Sequence, residues 1–195
     1  MNTPQNTNEY QENDSSKNRR SFFYSVLSFL KFVAIVFVIV VPIRMYVAQP
    51  FIVRGESMQP TFENSDYLII DEFTYRFLRE AERGEVIIFR YPRDPKTFFI
   101  KRIIGVPGDT VRIRDGKVSV TNGSDVFPDP LTDFVDANQQ DGTWMLEENE
   151  YFVLGDNRDF SSDSRVWGTL PENLIIGRAL LRLWPLGDIG VLPGI

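Results

Sequence analysis

Phe98-Phe99-Ile100-Lys101-Arg102-Ile103-Ile104 is the stretch on which the fold turns. It reads as an apolar strand. Successive side chains of a strand point to opposite faces. Phe99, Lys101 and Ile103 then share one face, and Phe98, Ile100, Arg102 and Ile104 share the other. A charge on each face is unusual for a buried strand, and it singles out Lys101 and Arg102.

Working outward, further strands appear on both sides. Glu85 to Arg90 is a strand stopped by Tyr91-Pro92, and Tyr67 to Asp71 is another. Between them Phe73 to Arg83 reads as a helix ended at Arg83-Gly84. Pro50 to Arg54 is a short extended run. Downstream, Val106-Pro107-Gly108-Asp109 is a turn, and Val111 to Val120 is a hairpin around Asp115-Gly116. Residues 121–142 are rich in Asp, Asn, Gly and Pro and read as a surface loop or insertion. Glu150 to Leu154, Leu174 to Gly177 and Ala179 to Trp184 add strands. The expected fold is therefore mainly β.

Composition narrows the chemistry. The chain has 195 residues, no histidine and no cysteine. A Ser-His-Asp triad, a cysteine nucleophile and any disulfide are excluded. The main nitrogen and sulfur ligands of zinc and copper are missing as well. No cofactor or metal is expected. Sixteen phenylalanines and a hydrophobic fraction of 43% supply a core. Net charge is −6, and most of the acid lies beyond the N-terminal end. An acidic domain argues against a nucleic-acid partner, which would demand clustered Lys and Arg.

The chain divides into three parts. Residues 1–21 are polar and read as a disordered cytoplasmic tail. Residues 22–43 are long and apolar enough for a transmembrane anchor if Lys31 snorkels to the headgroups. A cleaved signal peptide and a buried core helix are the alternatives. Against the first, no clear small-x-small site follows; Tyr46-Val47-Ala48 is a poor match. Residues 48–195 form the domain, long enough for one core. Lys17, Arg19, Arg20 and Lys31 precede the apolar run, against Arg44 and Arg54 after it. That bias puts the N-terminus inside and the domain on the extracytoplasmic side. The apolar end, Pro185 to Ile195, with Trp184 before it, suits contact with the bilayer.

Gly55-Glu56-Ser57-Met58-Gln59-Pro60-Thr61 follows the anchor. A serine between a glycine and a proline sits on a constrained turn, which exposes a hydroxyl or is simply a structural turn. A serine nucleophile requires a base. Without histidine, what remains is a serine or threonine with a lysine, an N-terminal amine or a carboxylate. Of five lysines, Lys17 and Lys31 lie in the N-terminal end, Lys96 in a Pro- and Asp-rich loop, and Lys117 beside the hairpin turn. Only Lys101 lies in an apolar strand. Desolvation there would lower its pKa from about 10.4 toward neutrality. The alternative is a lysine that snorkels to solvent from an edge strand. Gly155 to Arg165, followed by Trp167-Gly168, is either a solvated loop or a hydrogen-bonded platform. In it Asp163 and Arg165 could pair, and Ser161 or Ser164 could hold a lysine amine.

Four blocks, in order, resemble the type I signal peptidases, membrane-anchored serine-lysine proteases that release exported proteins. They are Ser57 to Thr61, Gly84 to Pro92, Ile100 to Asp109, and Gly155 to Arg165 with Trp167-Gly168. The resemblance covers about residues 32–186. It implies coiled antiparallel β-sheets, with Ser57 as nucleophile and Lys101 as general base. It implies that Ser161 hydrogen-bonds the lysine, that Gly155 keeps room around it, and that Asp163 and Arg165 brace the site together with Arg102. The backbone N–H of Ser57 would face the oxyanion, with Gly55 where some members carry a second hydroxyl donor. Phe51, Val53, Met58 and Ile100 match positions lining pockets for small residues at −1 and −3. The partners implied are exported preproteins and the lipid bilayer, and a monomer is expected. A specialised serine-lysine maturation peptidase and a catalytically silent anchored module are the alternatives.

Overall fold

The computed structural model describes residues 24–40, 49–128 and 141–191. The chain falls into two units, Met1–Met45 and Tyr46–Ile195. In the first, residues 24–40 form a helix, α1, whose side chains are exposed. The expected span of 22–43 is thus described only in part, and the tail of 1–21 lies outside the described residues. Among the described residues no helix is long and apolar enough to cross a membrane.

The second unit is built from antiparallel strands, as expected. The strands are β1 (Gln49–Ile52), β2 (Tyr67–Asp71), β3 (Val86–Tyr91), β4 (Asp94–Gly105), β5 (Thr110–Arg114) and β6 (Lys117–Asn122). They continue with β7 (Asp125–Pro128), β8 (Gly142–Met145), β9 (Glu150–Leu154), β10 (Leu170–Pro171), β11 (Ile175–Trp184) and β12 (Gly190–Val191). One sheet runs β1-β2-β11-β3-β4-β9-β10, with β12 paired to β11; the other runs β7-β6-β5-β8.

Strand β3 shows why the larger sheet is buried on both faces. Val86 and Ile88 enter one core cluster, with Val53, Met58, Phe62, Leu68, Ile70 and Ile100. Ile87 and Phe89 enter a second, with Ile103, Tyr151, Val153, Trp167 and Leu170. In β4, Ile100 belongs to the first cluster and Ile103 to the second, with Phe99 packed against it. The alternation expected for 98–104 holds. A third cluster joins Ile104, Phe152 and Leu154 to Val111, Ile113 and Val120, and seats the smaller sheet on the end of the larger one. Asp109 pins this junction, accepting hydrogen bonds from Arg83, Asn122 and the Val106 amide.

Three elements differ from the sequence reading. The helix expected over 73–83 is a single turn, α2 (Phe73–Phe77). Polar contacts explain its early end. Glu85 accepts from Tyr75, Arg79 and the Glu82 amide, folding residues 79–85 into a loop around one carboxylate. The surface loop expected over 121–142 is in part a strand, because Gly123 turns β6 back into β7; residues 129–140 lie outside the described residues. The two strands expected over 174–184 are one, β11, which absorbs its irregularities as register shifts against β2 and β3. The hairpin at Asp115-Gly116 is as expected, with both residues at positive φ, 49° and 73°.

Candidate active site

Ser57 stands on the connection from β1 to β2. This loop is closed by its own backbone: Val53 N donates to Asp66 O at 2.9 Å, and Ser65 N to Val53 O at 2.9 Å. Val53, Met58 and Phe62 plug it into the core, at 1%, 1% and 0% exposure. Gly55 has φ of 91°, in the region a side chain disfavours, and its N–H donates to Asn64 Oδ1 at 3.1 Å. The serine is half-buried on a fixed loop, where a hydroxyl can be held toward a partner.

That partner is Lys101. Its Nζ lies 2.7 Å from Ser57 Oγ and donates to Ile100 O at 2.8 Å. The strand delivers it there, since β4 is central in the larger sheet, between β3 and β9. Lys101 is 4% exposed and does not snorkel to solvent. The Phe99 ring, on the same strand face, lies 5.3 Å from Nζ. Burial pushes the Lys101 amine down to about 8. The Asp163 and Asp156 carboxylates hold it up against that, and the Arg165 guanidinium lowers it further.

The platform after β9 surrounds this pair. Asp163 caps a short helix, α3 (Ser164–Trp167), and binds Arg165 through both oxygens, at 2.7 and 2.8 Å. The same carboxylate accepts from Gly155 N at 3.1 Å. At Gly155 a Cβ would sit 2.2 Å from Ser161 Oγ and 2.5 Å from Ser57 O, so the room this glycine keeps is around Ser161 and the Ser57 carbonyl, where the expectation is room around the lysine. Ser161 lies in this corner, but it does not make the expected hydrogen bond to Lys101. Its hydroxyl is buried and has no hydrogen-bond partner among the described residues. The backbone of Ser161 is extended and brings the Oγ against Gly155, so the contact it makes is one of packing.

Arg102 pairs with Asp156. It grips both oxygens of Asp156, at 2.8 and 2.5 Å, and donates to Gly84 O at 2.7 Å. Asp156 Oδ2 in turn accepts from Thr61 Oγ1 at 2.5 Å. This buried chain ties the strand of Lys101 to the loop of Ser57. Asn157 adds two more ties, its amide to Ser57 O at 3.0 Å and its side chain to Glu56 O at 3.1 Å. Sequence reasoning assigns no role to Thr61, Asp156 or Asn157. A signal for Asp156 is nevertheless there: an arginine in an apolar strand needs a carboxylate partner.

A groove of about 660 Å³ opens over Ser57 and Lys101. Phe51 and Ile100 line it, as expected. Val53 and Met58 do not. They lie in the core cluster that supports Ile100, because the plug that closes the Ser57 loop uses them. A second cavity, of about 390 Å³, lies between Gln49, Glu72, Arg76 and Arg90, away from the Ser57–Lys101 pair.

Comparison with known proteins decides the family. The family model for "Signal peptidase, peptidase S26" matches residues 26–184. The chain belongs to the signal peptidase family. A relative from Synechocystis sp., "Probable signal peptidase I-2", is 40% identical, over 80% of this chain and 72% of its own. "Signal peptidase I" of Leptolyngbya laminosa is 36% identical, over 84% of this chain and 82% of its own. A solved signal peptidase I from Enterococcus faecalis V583 is 32% identical, covering 51% of this chain and 97% of that one, with a TM-score of 0.43. Members of this family are serine endopeptidases, and the mainly β, antiparallel fold described above agrees with that membership.

Proposed function

We propose that this protein removes N-terminal signal peptides from exported preproteins, with Ser57 as nucleophile and Lys101 as general base. The observation that carries the assignment is the 2.7 Å approach of a buried, pKa-lowered amine to a serine hydroxyl on a fixed loop. With a value of about 8, roughly a tenth of the amine is neutral near pH 7. Its lone pair takes the Ser57 proton as Oγ attacks the scissile carbonyl carbon. The resulting ammonium then gives that proton to the leaving amine as the C–N bond breaks. Water attacks the acyl-enzyme, again with Lys101 as base, and frees Ser57.

The Ser57 N–H faces the developing oxyanion, and Gly55 adds no second hydroxyl there. Asp163, Arg165, Gly155 and Ser161 hold the platform, while Arg102 acts through Asp156. Phe51 and Ile100 shape the small pockets for residues −1 and −3, resting on Val53 and Met58. Residues 22–43 anchor the chain in the plasma membrane with the N-terminus inside and residues 48–195 outside, supported by the excess of Lys and Arg ahead of the apolar run. The exposed ridge of Trp184, Leu186, Ile189 and Val191 supports contact of the domain with lipid.

The test uses the full chain in detergent and a precursor bearing a signal peptide, with the cut mapped by mass spectrometry. Cleavage after a small-x-small sequence is expected, abolished in both Ser57→Ala and Lys101→Ala while the fold is retained. Normal turnover by Lys101→Ala would sink the mechanism.

A further inference from the structure

Phe160 is 70% exposed, an unusual state for an aromatic side chain inside a catalytic groove. It sits on the 3-10 turn Arg158–Phe160, directly before the inward-facing Ser161. Ser161 has extended backbone, so its neighbours point the opposite way. Both neighbours, Phe160 and Ser162, do line the groove together with Ser57 and Lys101. The buried hydroxyl of Ser161 thus fixes the outward direction of the ring beside it.

The turn that presents Phe160 is held at several points. The Phe160 amide donates to Asn157 O at 3.2 Å. Arg158 Nε donates to Gly155 O at 2.9 Å, and Arg165 Nη2 to Arg158 O at 2.7 Å. An aromatic ring on a braced turn loses little freedom when something packs on it, which is the economy of a recognition anchor. Across the same groove, Ile52 and Phe98 are also exposed, at 49% and 43%. These come from β1 and β4, so the apolar rim is built from three separate elements.

We infer that Phe160 is a specificity-determining residue that contacts an apolar side chain of the precursor at a position other than −1 and −3. The inference rests on the proposed cleavage of signal peptides. The occupant of a groove that holds the reacting pair is the peptide being cut, and a signal peptide carries an apolar run of about 7–15 residues ahead of its cleavage site. The −1 and −3 residues are small, and their pockets are shaped by Phe51 and Ile100. The exposed ring suits a larger partner.

The experiment takes a cleavable precursor peptide and replaces each apolar residue from −7 to +3 in turn by alanine, the −1 and −3 residues excepted. Each peptide is hydrolysed by the wild-type chain, Phe160→Ala and Phe160→Leu, in detergent and on phosphatidylcholine vesicles. At one position the wild type should prefer the apolar residue over alanine by about tenfold in kcat/KM, Phe160→Leu should keep most of that preference, and Phe160→Ala should lose it. A preference that is the same in wild type and Phe160→Ala at every position overturns the inference. So does an effect of Phe160→Ala that is uniform across peptides and appears only on vesicles, which would make the ring a lipid contact. A wild-type chain that cuts none of the peptides would refute the parent assignment.

Discussion

Replacing Lys101 by methionine tests whether burial shifts the amine toward its neutral form, separately from whether it does chemistry. The native value is about 8, against 10.5 for the unperturbed group. A lysine whose pKa falls on folding destabilises the native state wherever its charged form must be buried. Between the two values the unfolded chain binds a proton that the folded chain does not, so stability rises with pH there. A tenfold difference in proton affinity is worth about 1.4 kcal/mol, and integration from about pH 7 to about pH 10 gives the wild type a gain of about 2–3 kcal/mol. Lys101→Met lacks this gain. Its constant differences, from packing and from the freed Ile100 carbonyl, cancel when the two proteins are compared across pH. The assay is urea unfolding of the full chain in detergent, followed by fluorescence of Trp144, Trp167 and Trp184. The expected result is that the stability of Lys101→Met relative to wild type falls by about 2–3 kcal/mol over this range. The cleavage rate of the wild type should rise with a midpoint near 8. A relative stability that does not change with pH would refute the buried, titrating amine.

Further outcomes follow from the packing around the pair. Gly155→Ala should push Ser161 against the nucleophile loop, costing about 1–3 kcal/mol and about a hundredfold in kcat, measured by urea unfolding and precursor cleavage. Asp156→Asn removes the carboxylate charge that grips the buried Arg102 and should cost about 3–5 kcal/mol, with Thr61→Val milder in the same unfolding assay. Burial alone would raise the Asp109 carboxyl, but hydrogen bonds from Arg83, Val106 N and Asn122 outweigh it and hold the group below its ordinary value. Its contribution is present above the usual carboxylate range and is lost as pH falls through the lowered value. Asp109→Asn should therefore flatten the acid limb of the stability curve, leaving the slope above pH 7 unchanged.

Much of this is legible because strand alternation is a strong signal. In 98–104 a single pattern places Phe99 beside Lys101 and offers a dry amine against one that snorkels; the 4% exposure of Lys101 decides for the first. The hairpin at Asp115-Gly116 is equally plain, since two residues that tolerate positive φ stand between two apolar runs. Phe73 to Arg83 misleads because helical propensity is local, whereas the Glu85 carboxylate gathers Tyr75, Arg79 and a backbone amide from a distance no propensity registers. Val53 and Met58 are expected to line a substrate pocket only because the family resemblance implies it. The closed loop turns them inward, a consequence of the Asp66–Val53–Ser65 backbone bonds that sequence alone does not display. Asp156 hides among the many polar residues of its run, and only its depth distinguishes it from them.

Ser57 and Lys101 are 44 residues apart in the chain, and Thr61 and Asp156 are 95 apart. None of these meetings can occur in a chain that has not yet closed its central strands. The pair is brought together by the same pairings that complete the sheet. A half-made molecule of this enzyme therefore lacks it, and is harmless to whatever passes beside it.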